Sequence, residues 1–370
     1  MFNNFFHGKT MLITGVAGVK GVWLALELLA LGSRVIGIDR HRPEADSNFA
    51  LSHLADRITF LHGDINDLDL LQETMAGVDG VFHLAAVSLV GEARRDPLDT
   101  YRSNTLGTAT VLEAMRLSPA TRYGVFITTD KVYAPKDGEP WTETDPLFAT
   151  EPYPVSKACA EQIIADYYHQ YLKAAGKRIG IARAGNVLLG GDFYSSRRMN
   201  GAGHLHVDCF EALAVGRAPE LYSPAFTRPY SYGLDILCGY LSLMSRLDEP
   251  GVDGEAFNFG PHERYGVENS LLATKICEVW GGDTMWQTSK PRSEPFTKQS
   301  LAWDKAQQRL GWRPAFTLYE TVQELAHWYR AWDTQQKQGS ACCMAEVNQT
   351  LLQRHQQAAA HMQIWWATAK

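Results

Sequence analysis

The chain has 370 residues, of which 45% are hydrophobic and 21% charged, with a formal net charge of −6. A length well above one average domain predicts a large α/β unit with a smaller attached lobe. The acidic balance argues against nucleic acid or an anionic membrane as a partner. No apolar run reaches the roughly 20 residues that span a bilayer. The first seven residues lack a basic and apolar signal pattern, so we expect a cytoplasmic protein.

The six cysteines and twelve histidines are dispersed along the chain. No pair has the short spacing of a zinc site and no HExxH motif occurs, so we expect neither disulfides nor a bound metal. Ordinary buried thiols and surface histidines account for this distribution.

A glycine-rich loop lies between the first predicted strand, residues 10–14, and the first predicted helix, residues 22–31. Its GxxGxxG spacing allows a tight turn, close backbone approach to a pyrophosphate and close packing of helix on strand. The N–H groups at the start of the helix would face the phosphates. A structural turn without a ligand is the alternative. The predicted cofactor contacts in this loop are Gly15, Gly18, Val19, Lys20 and Gly21.

The next strands also end in residues suited to a dinucleotide. A strand at 34–38 ends at Asp39, about 20 residues after the loop, where a carboxylate accepts hydrogen bonds from ribose hydroxyls. Its charge would repel a 2′-phosphate and favours NAD, although Arg40 or Arg42 could hold the phosphate of NADP. Strands at 58–62 and 80–84 lead into the further candidates Asp64, which would meet the adenine amine, Ile65, Leu84, Ala85 and Ala86.

Asn104 lies in the helix that follows the fourth strand. A mid-helix asparagine is usually solvated or bonds its local backbone. A bridge from this helix to the active site is an equally good interpretation, and we include Asn104 among the cofactor-site candidates. Strands alternate with helices to about residue 184, which predicts a doubly wound parallel sheet, the Rossmann arrangement.

Two polar clusters follow the fifth predicted strand, residues 123–127. The first is Thr128-Thr129-Asp130-Lys131, at the sheet edge where ligands bind in open α/β proteins. The second is Tyr153 with Lys157, which are four residues apart and therefore share one helix face. An ammonium beside a phenol would lower the tyrosine pKa and make it a base for an alcohol. A YxxxK pattern alone is common by chance, so its value depends on its surroundings.

The order of these motifs resembles that of the extended short-chain dehydrogenase/reductases. Within them the chain is most similar to the nucleotide-sugar 4,6-dehydratases, particularly those that act on CDP-glucose. The similarity covers roughly residues 8–333, and its most specific segments are 18–24, 128–133, 183–187, 190–192, 258–261 and 310–314. The chain departs from the usual pattern at Val19, Pro154 and Tyr230, which bears on the sugar and the nucleotide more than on the reaction.

The resemblance implies an NAD-dependent dehydration of a nucleotide-activated hexose to a 4-keto-6-deoxy sugar. C4 is oxidised, water leaves across C5 and C6, and the hydride returns to C6. Tyr153 would be the base for the C4 hydroxyl, Lys157 would tune it and hold the nicotinamide ribose, and Thr129 or Thr128 would bind the C4 oxygen. Asp130 would protonate the leaving oxygen and Lys131 would take the C5 proton, so Asp130 must be protonated and Lys131 neutral.

Two alternatives remain. One is a sugar-nucleotide C4 epimerase or related redox enzyme, which would need only Thr129, Tyr153 and Lys157. The other is a non-catalytic protein that binds the cofactor. For the sugar nucleotide itself, the resemblance supplies the candidates Ser88, Thr128, Asn186, Arg228, Asn258, Arg292 and Glu294. Arg228 could clamp a diphosphate, and the loop 192–204 could be a mobile lid. Simple surface solvation is the alternative for the lone polar residues.

We expect three parts in the chain. Residues 1–185 would bind NAD and carry the catalytic residues, 186–333 would form mainly a substrate-binding lobe with some return to the first part, and 334–370 would add a helical extension. Its helix, about 345–368, has no clean apolar stripe. Packing on its own subunit and an arm to another subunit are therefore equal alternatives. A homodimer is implied by the resemblance.

Overall fold

The computed structural model describes residues 2–136, 138–192, 204–289, 297–338 and 344–367. Its strands are β1 (Thr10–Thr14), β2 (Arg34–Asp39), β3 (Thr59–His62), β4 (Gly80–His83), β5 (Tyr123–Thr129), β6 (Arg178–Ala184), β7 (Asn186–Leu188), β8 (Glu220–Leu221), β9 (Thr227–Arg228), β10 (Tyr230–Tyr232), β11 (Ala256–Phe259), β12 (Val267–Glu268) and β13 (Gln287–Thr288).

Its α-helices are α1 (Val19–Ala30), α2 (Asn48–Leu51), α3 (Leu68–Met75), α4 (Val90–Arg95), α5 (Pro97–Tyr101), α6 (Gly107–Leu117), α7 (Pro152–Tyr167), α8 (Leu205–Ala214), α9 (Gly233–Ser245), α10 (Asn269–Trp280), α11 (Asp304–Leu310), α12 (Leu318–Gln338) and α13 (Met344–Ala367). Short 3₁₀ turns lie at Phe2–Asn4, Leu54–Asp56 and Asp130–Val132, and π-helical turns at Arg102–Leu106 and Tyr168–Leu172.

Seven strands form one sheet in the order β11-β6-β5-β4-β1-β2-β3. Every pairing in it is parallel. The predicted doubly wound Rossmann sheet is confirmed. From β1 the chain first builds outward to β3 and then returns to place β4 on the other side of β1. The strand order therefore reverses between β1 and β4, which is where ligands bind in sheets of this type.

Helices cover both faces of the sheet, which explains why its central strands are buried throughout. All five residues of β1 and all seven of β5 are buried. One core lies between the sheet and α1, α9 and α12, with Trp23 and Tyr240 among its largest buried side chains. The other lies under α3, α6 and α7. The sheet edge that carries the polar residues is thereby held between two packed layers.

Smaller two-stranded pairs lie beside the main sheet, namely β7 with β10, β9 with β12 and β8 with β13. They belong to a smaller C-terminal lobe, while β11 returns to the main sheet beside β6. The division of the chain at residues 185 and 333 stays a prediction. Over the described residues, every helix is either too short or too polar to span a bilayer.

The C-terminal helix α13 packs on α12 and α9 of its own chain. It begins at Met344 and ends at Ala367, close to the predicted bounds. Between residues 344 and 360, its buried positions are Met344, Asn348, Leu351, Leu352, His355 and Ala359, which recur every three or four residues. The stripe is continuous only when the two polar residues are counted, which is why apolar periodicity alone did not reveal it.

His355 anchors this helix to two others. Its Nε2 lies 3.0 Å from Oδ1 of Asp235 on α9, and its Nδ1 lies 3.7 Å from Oε1 of Glu27 on α1. Burial alone would lower the pKa of His355, but the hydrogen bond to Asp235 and the nearby Glu27 raise it to about 9. The imidazolium form is therefore the one that the folded chain favours.

We expect the contribution of His355 to stability to depend on pH. Its folded pKa of about 9 exceeds the ordinary 6.5, so the contribution is complete below the ordinary value and is lost as pH rises through the folded one. A shift of this size corresponds to about 3 kcal/mol. His355→Gln should lower the free energy of unfolding by that order near pH 6 and by much less near pH 10. Urea unfolding of both proteins at the two pH values measures this, and an equal loss at both would contradict it.

Candidate functional site

A cleft of about 790 Å³ opens at the carboxyl ends of β1 and β4. It runs from the loop after β2 to the short strands of the C-terminal lobe. Most of the predicted site residues line it, namely Gly15, Gly18, Val19, Lys20, Gly21, Asp39, Arg40, Asp64, Ile65, Leu84, Ala85, Ala86, Ser88, Thr128, Thr129, Lys131, Tyr153, Lys157, Asn186 and Arg228. Residues far apart in the sequence thus share one cavity.

The glycine loop is shaped by two close approaches. Gly15 has a φ of +74°, and a Cβ on it would lie 2.8 Å from the backbone of Ala85 at the end of β4. A Cβ on Gly21 would lie 2.3 Å from the carbonyl oxygen of Gly15. Gly18 is the N-cap of α1 and has no side-chain cap. The first amides of α1 therefore face the cleft without a side-chain partner, an arrangement that fits a phosphate group.

A chain of hydrogen bonds links the ends of β1 and β4 beneath this loop. The Thr14 hydroxyl lies 2.8 Å from Nδ1 of His83, and Nε2 of His83 lies 3.0 Å from the Thr108 hydroxyl. Thr108 donates to the carbonyl oxygen of Asn104 at 2.6 Å, so His83 must donate from Nε2 and accept at Nδ1. Burial lowers the pKa of His83 to about 3. A neutral imidazole thus links the carboxyl ends of β1 and β4, the two strands from which the chain leaves in opposite directions.

Asn104 supports the cleft from behind and does not line it. Its Oδ1 accepts from the backbone N–H of Val87, and its Nδ2 donates to the carbonyl oxygen of Val87 and the hydroxyl of Ser156. It is fully buried, in the π-helical turn. Direct contact of Asn104 with a cofactor stays a prediction, and its side chain is fully buried behind the cleft wall. The bridge from the helix to the active site is the interpretation that these contacts support.

Asp39 caps the turn that follows β2. Its carboxylate accepts from the N–H groups of Ala17 and His41 at 3.0 and 2.9 Å. Burial raises its pKa, and these two N–H groups oppose that rise. Arg40 donates to both carboxylate oxygens of Asp99 at 3.1 and 3.0 Å. The cleft therefore presents a carboxylate at this end, and the nearest arginine is held by another acid.

The two threonines after β5 are placed differently. Thr128 donates its hydroxyl proton to Oε1 of Glu161 at 2.6 Å, and Glu161 forms a buried ion pair with Arg183. Thr129 lies 3.1 Å from Oδ1 of Asp130 and also hydrogen-bonds Tyr153. Both hydroxyl protons are used in hydrogen bonds, and Thr129 is the one of the two that interacts with Tyr153.

Asp130 and Lys131 lie beside Tyr153 but reach the cleft to different extents. The 3₁₀ turn that begins at Asp130 directs its side chain inward, where it is fully buried and absent from the cleft wall. Its Oδ1 lies 3.9 Å from Nζ of Lys131, and its Oδ2 has no hydrogen-bond partner among the described residues. Lys131 itself lines the cleft. Asp130 therefore does not line the cavity itself but contacts Thr129 and Lys131, which do.

The tuning of Tyr153 by Lys157 differs from the sequence prediction. Desolvation and the nearby Asp130 raise the pKa of Tyr153 to about 12, although the hydrogen bond with Thr129 opposes this. Lys157 donates to the carbonyl oxygen of Ile127 at 2.9 Å. Burial and repulsion from Lys20 lower its own pKa to about 7. The predicted lowering of the tyrosine pKa by Lys157 is therefore wrong.

Sequence reasoning missed the pairing of an aspartate with a histidine at the edge of the cleft. Asp192 and His204 form a short ion-paired hydrogen bond, and both line the cavity. Burial opposes the charge on Asp192, but His204 outweighs that effect and lowers its pKa. Burial lowers the pKa of Lys20 to about 8, while Asp192 raises it and Lys131 lowers it further. Asp192 was part of a motif that supported the resemblance, so its position could have been identified, but its partner could not.

The far end of the cleft contains Asn186 and Arg228. Oδ1 of Asn186 is buried without a hydrogen-bond partner among the described residues, so it can accept from a ligand. Arg228 donates to the carbonyl oxygen of Thr227 at 2.9 Å, and 94% of its surface is buried, since its exposed fraction is 6%. Asn258 does not line the cleft, since its Oδ1 accepts from the buried Tyr133 hydroxyl, and its contact with a substrate stays a prediction. Arg292, Glu294 and most of the loop 192–204 lie outside the described residues.

Comparison with known proteins agrees with this geometry. Residues 12–180 match the family model described as GDP-mannose 4,6 dehydratase. A CDP-glucose 4,6-dehydratase from Salmonella typhimurium is 31% identical over 344 residues, which cover 89% of this chain and 92% of that protein. The chain belongs to the nucleotide-sugar 4,6-dehydratase and epimerase family. The predicted resemblance to this group of extended short-chain dehydrogenase/reductases is confirmed.

Epimerases of the family are also similar to the chain. A UDP-glucose 4-epimerase from Halalkalibacterium halodurans is 28% identical, with 86% of this chain and 95% of that protein covered. Among solved structures, a dTDP-glucose 4,6-dehydratase from Streptomyces venezuelae with NAD bound is 26% identical, with a TM-score of 0.74 over 87% of this chain and 97% of that one. Family membership makes the chain an enzyme of this class, which sets aside a non-catalytic cofactor-binding protein.

We expect two alanine substitutions in the glycine loop to lower the free energy of unfolding by different amounts. Gly15→Ala would strain a backbone at φ +74° and clash with Ala85, and should lower the free energy of unfolding by about 3 kcal/mol. Gly18→Ala is the matched control, since Gly18 has φ −70° and its added Cβ would meet only the Gly15 oxygen at 3.3 Å. It should cost below about 1 kcal/mol. Urea unfolding measures both, and equal losses would contradict the close approach.

Proposed function

We propose that this enzyme dehydrates a nucleotide-activated hexose of the CDP-glucose type to a 4-keto-6-deoxy sugar nucleotide, with NAD as its cofactor. The observation that carries the proposal is the sharing of one cleft by Thr129, Lys131 and Tyr153, with Asp130 directly behind Thr129. This set can act on three neighbouring carbons of one hexose, C4, C5 and C6. The 31% identity to a CDP-glucose 4,6-dehydratase supports it.

The residues at the carboxyl end of β5 would divide the chemistry between them. A nicotinamide cofactor, when bound, supplies the hydride acceptor and donor. Tyr153 takes the proton of the C4 hydroxyl while Thr129 orients that oxygen. Once C4 is a ketone, the C5 proton is acidic enough for Lys131 to remove. Asp130 supplies the proton for the departing C6 oxygen, and Oδ1 of its buried carboxyl group accepts from the Thr129 hydroxyl at 3.1 Å.

The cofactor residues fit NAD better than NADP. Asp39 lines the end of the cleft that follows β2, and a 2′-phosphate there would meet its negative charge. Arg40 would have to leave Asp99 to neutralise that phosphate. The pyrophosphate would lie against Gly15, Gly18, Val19, Lys20 and Gly21, and the remaining walls would come from Asp64, Ile65, Leu84, Ala85 and Ala86. The dTDP-glucose 4,6-dehydratase named above was solved with NAD.

A C4 epimerase is the second candidate, because UDP-glucose 4-epimerases match the chain almost end to end. Such an enzyme needs Thr129, Tyr153 and Lys157 but neither an acid nor a second base. The buried Asp130 next to Lys131 is the feature that favours dehydration.

We further propose a cytoplasmic homodimer. Exposed apolar side chains lie on α5, on the π-helical turn that follows it, on α6 and on the π-helical turn after α7. They are Leu98, Tyr101, Leu106, Leu117 and Tyr171. A second copy that brought the same helices together would bury this surface. Analytical ultracentrifugation tests it, and a protein that stays monomeric at micromolar concentration would contradict it.

The reaction type is tested by the mass of the product. Purified protein with NAD and CDP-glucose, and in parallel with the dTDP, GDP and UDP sugars, should release water from one of them without added reductant. Mass spectrometry measures the loss. A product of unchanged mass with inverted C4 would establish the epimerase instead, and faster turnover with NADP than with NAD would contradict the cofactor assignment.

We expect Lys131→Met and Tyr153→Phe to block different steps. Lys131→Met should retain NAD binding and C4 oxidation but lower overall turnover by about 10²–10⁴-fold. Solvent deuterium should no longer enter at C5. Tyr153→Phe should abolish the transient reduced nicotinamide seen by its absorbance. Lys136→Met is the matched control, because Lys136 pairs with Asp145 outside the cleft. Deuterium entry at the wild-type rate in Lys131→Met would remove Lys131 as the base.

A further inference from the structure

Asn348 on α13 is fully buried and uses its amide in three hydrogen bonds. Its Oδ1 accepts from Nε1 of Trp328 at 2.8 Å. Its Nδ2 donates to Oδ1 of Asn48 at 2.9 Å and to the hydroxyl of Ser52 at 2.7 Å. Because an indole N–H can only donate, Trp328 fixes which side of the Asn348 amide faces α2. The C-terminal helix therefore holds the segment 48–52 in one orientation.

Asn48 belongs to the wall of the cleft, together with Ser47 just before it. Its side chain packs on the turn at Gly191, where an added Cβ would lie 2.7 Å from the Cβ of Asn48. Gly191 also has a φ of +85°, so both the backbone and the close approach require glycine. The next residue is Asp192, which lines the cleft near Lys20. A shift of Asn48 would therefore displace this turn.

Trp328 contacts the same turn from the other side. A Cβ on Gly190 would lie 2.3 Å from the Trp328 ring, so ring and backbone are in direct contact. The contacts therefore close a ring that passes from Asn348 through Asn48, Gly191 and Gly190 to Trp328 and back. Two walls of the cleft, the segment at Asn48 and the turn before Asp192, are tied to one residue of the C-terminal helix.

We propose that Asn348 is a positioning residue for the adenosine side of the cofactor cleft, which it sets by holding α2 against the Gly190–Gly191 turn. This inference rests on the proposed function, in that the cleft must bind a dinucleotide. Loss of the amide leaves Asn48 and Ser52 without their buried partner. The adenosine side then samples more conformations, and a ligand that needs one of them binds more weakly.

The test compares two variants of the same helix. Asn348→Leu removes the contact with α2, whereas His355→Gln weakens the docking of α13 without touching α2. Calorimetry with NAD and with ADP-ribose should show about tenfold weaker binding for Asn348→Leu and less than about twofold for His355→Gln. Ser52→Ala removes one hydrogen bond outside the cleft and should weaken binding by about threefold, which keeps the test available if Asn348→Leu does not fold.

Hydrogen exchange of the ligand-free proteins gives a second readout. Amides of residues 47–52 should exchange faster in Asn348→Leu than in His355→Gln, while those of β1 and β2 stay protected in both. Equal losses of affinity in both variants, or unchanged affinity in Asn348→Leu and Ser52→Ala, would overturn the positioning role and leave the proposed function intact. A wild-type protein that binds neither NAD nor ADP-ribose would overturn the proposed function and this inference together.

Discussion

The site depends on the reversal of strand order between β1 and β4. The two strands are neighbours in the sheet, yet the chain leaves them in opposite directions, so a cleft must open at their carboxyl ends. The gap can be narrow only because Gly15 has no Cβ to meet Ala85. Beneath this gap, the neutral His83 hydrogen-bonds both Thr14 and Thr108 and so links the ends of β1 and β4. A dinucleotide-shaped cavity is therefore a consequence of topology, and the side chains around it add the chemistry.

The chemistry depends on cations that are costly to bury together. Lys20, Lys131 and Lys157 line one cleft, and burial lowers the pKa of Lys20 to about 8 and of Lys157 to about 7. Each lysine makes charge on its neighbour less favourable, while Asp192 acts in the opposite sense on Lys20. A bound diphosphate would relieve this repulsion, since its charge is of the opposite sign. The same feature that costs stability therefore favours an anionic ligand.

Sequence predicted the parts of the site that local geometry controls. The glycine loop, the end of β5 and the Tyr153–Lys157 spacing each follow from a strand or helix that positions its own residues. Sequence reasoning failed where the hydrogen-bond or ion-pair partner of a residue comes from elsewhere in the chain. Lys157 was expected to lower the pKa of Tyr153, but spacing along a helix does not specify that its ammonium donates to Ile127. The pairing of Asp192 with His204 spans a loop with no periodic signal. Asn104 and Asn258 were predicted to contact a ligand, but the structure buries both side chains, Asn104 behind the cleft wall and Asn258 against Tyr133.

The C-terminal helix illustrates a different limit of sequence patterns. Its buried face includes Asn348 and His355, so a count of apolar residues interrupts the stripe at the two positions that matter most for docking. Burying such groups is costly unless every donor and acceptor is satisfied. Asn348 meets that condition with three hydrogen bonds, whereas His355 is held by a hydrogen bond between its Nε2 and Asp235 and by the carboxylate of Glu27, 3.7 Å from its Nδ1. Polar contacts of this kind are directional, so they select one position and orientation of the helix, whereas apolar contacts alone would tolerate several. The extension therefore fixes the orientation of the elements that it covers, including the wall of the cleft.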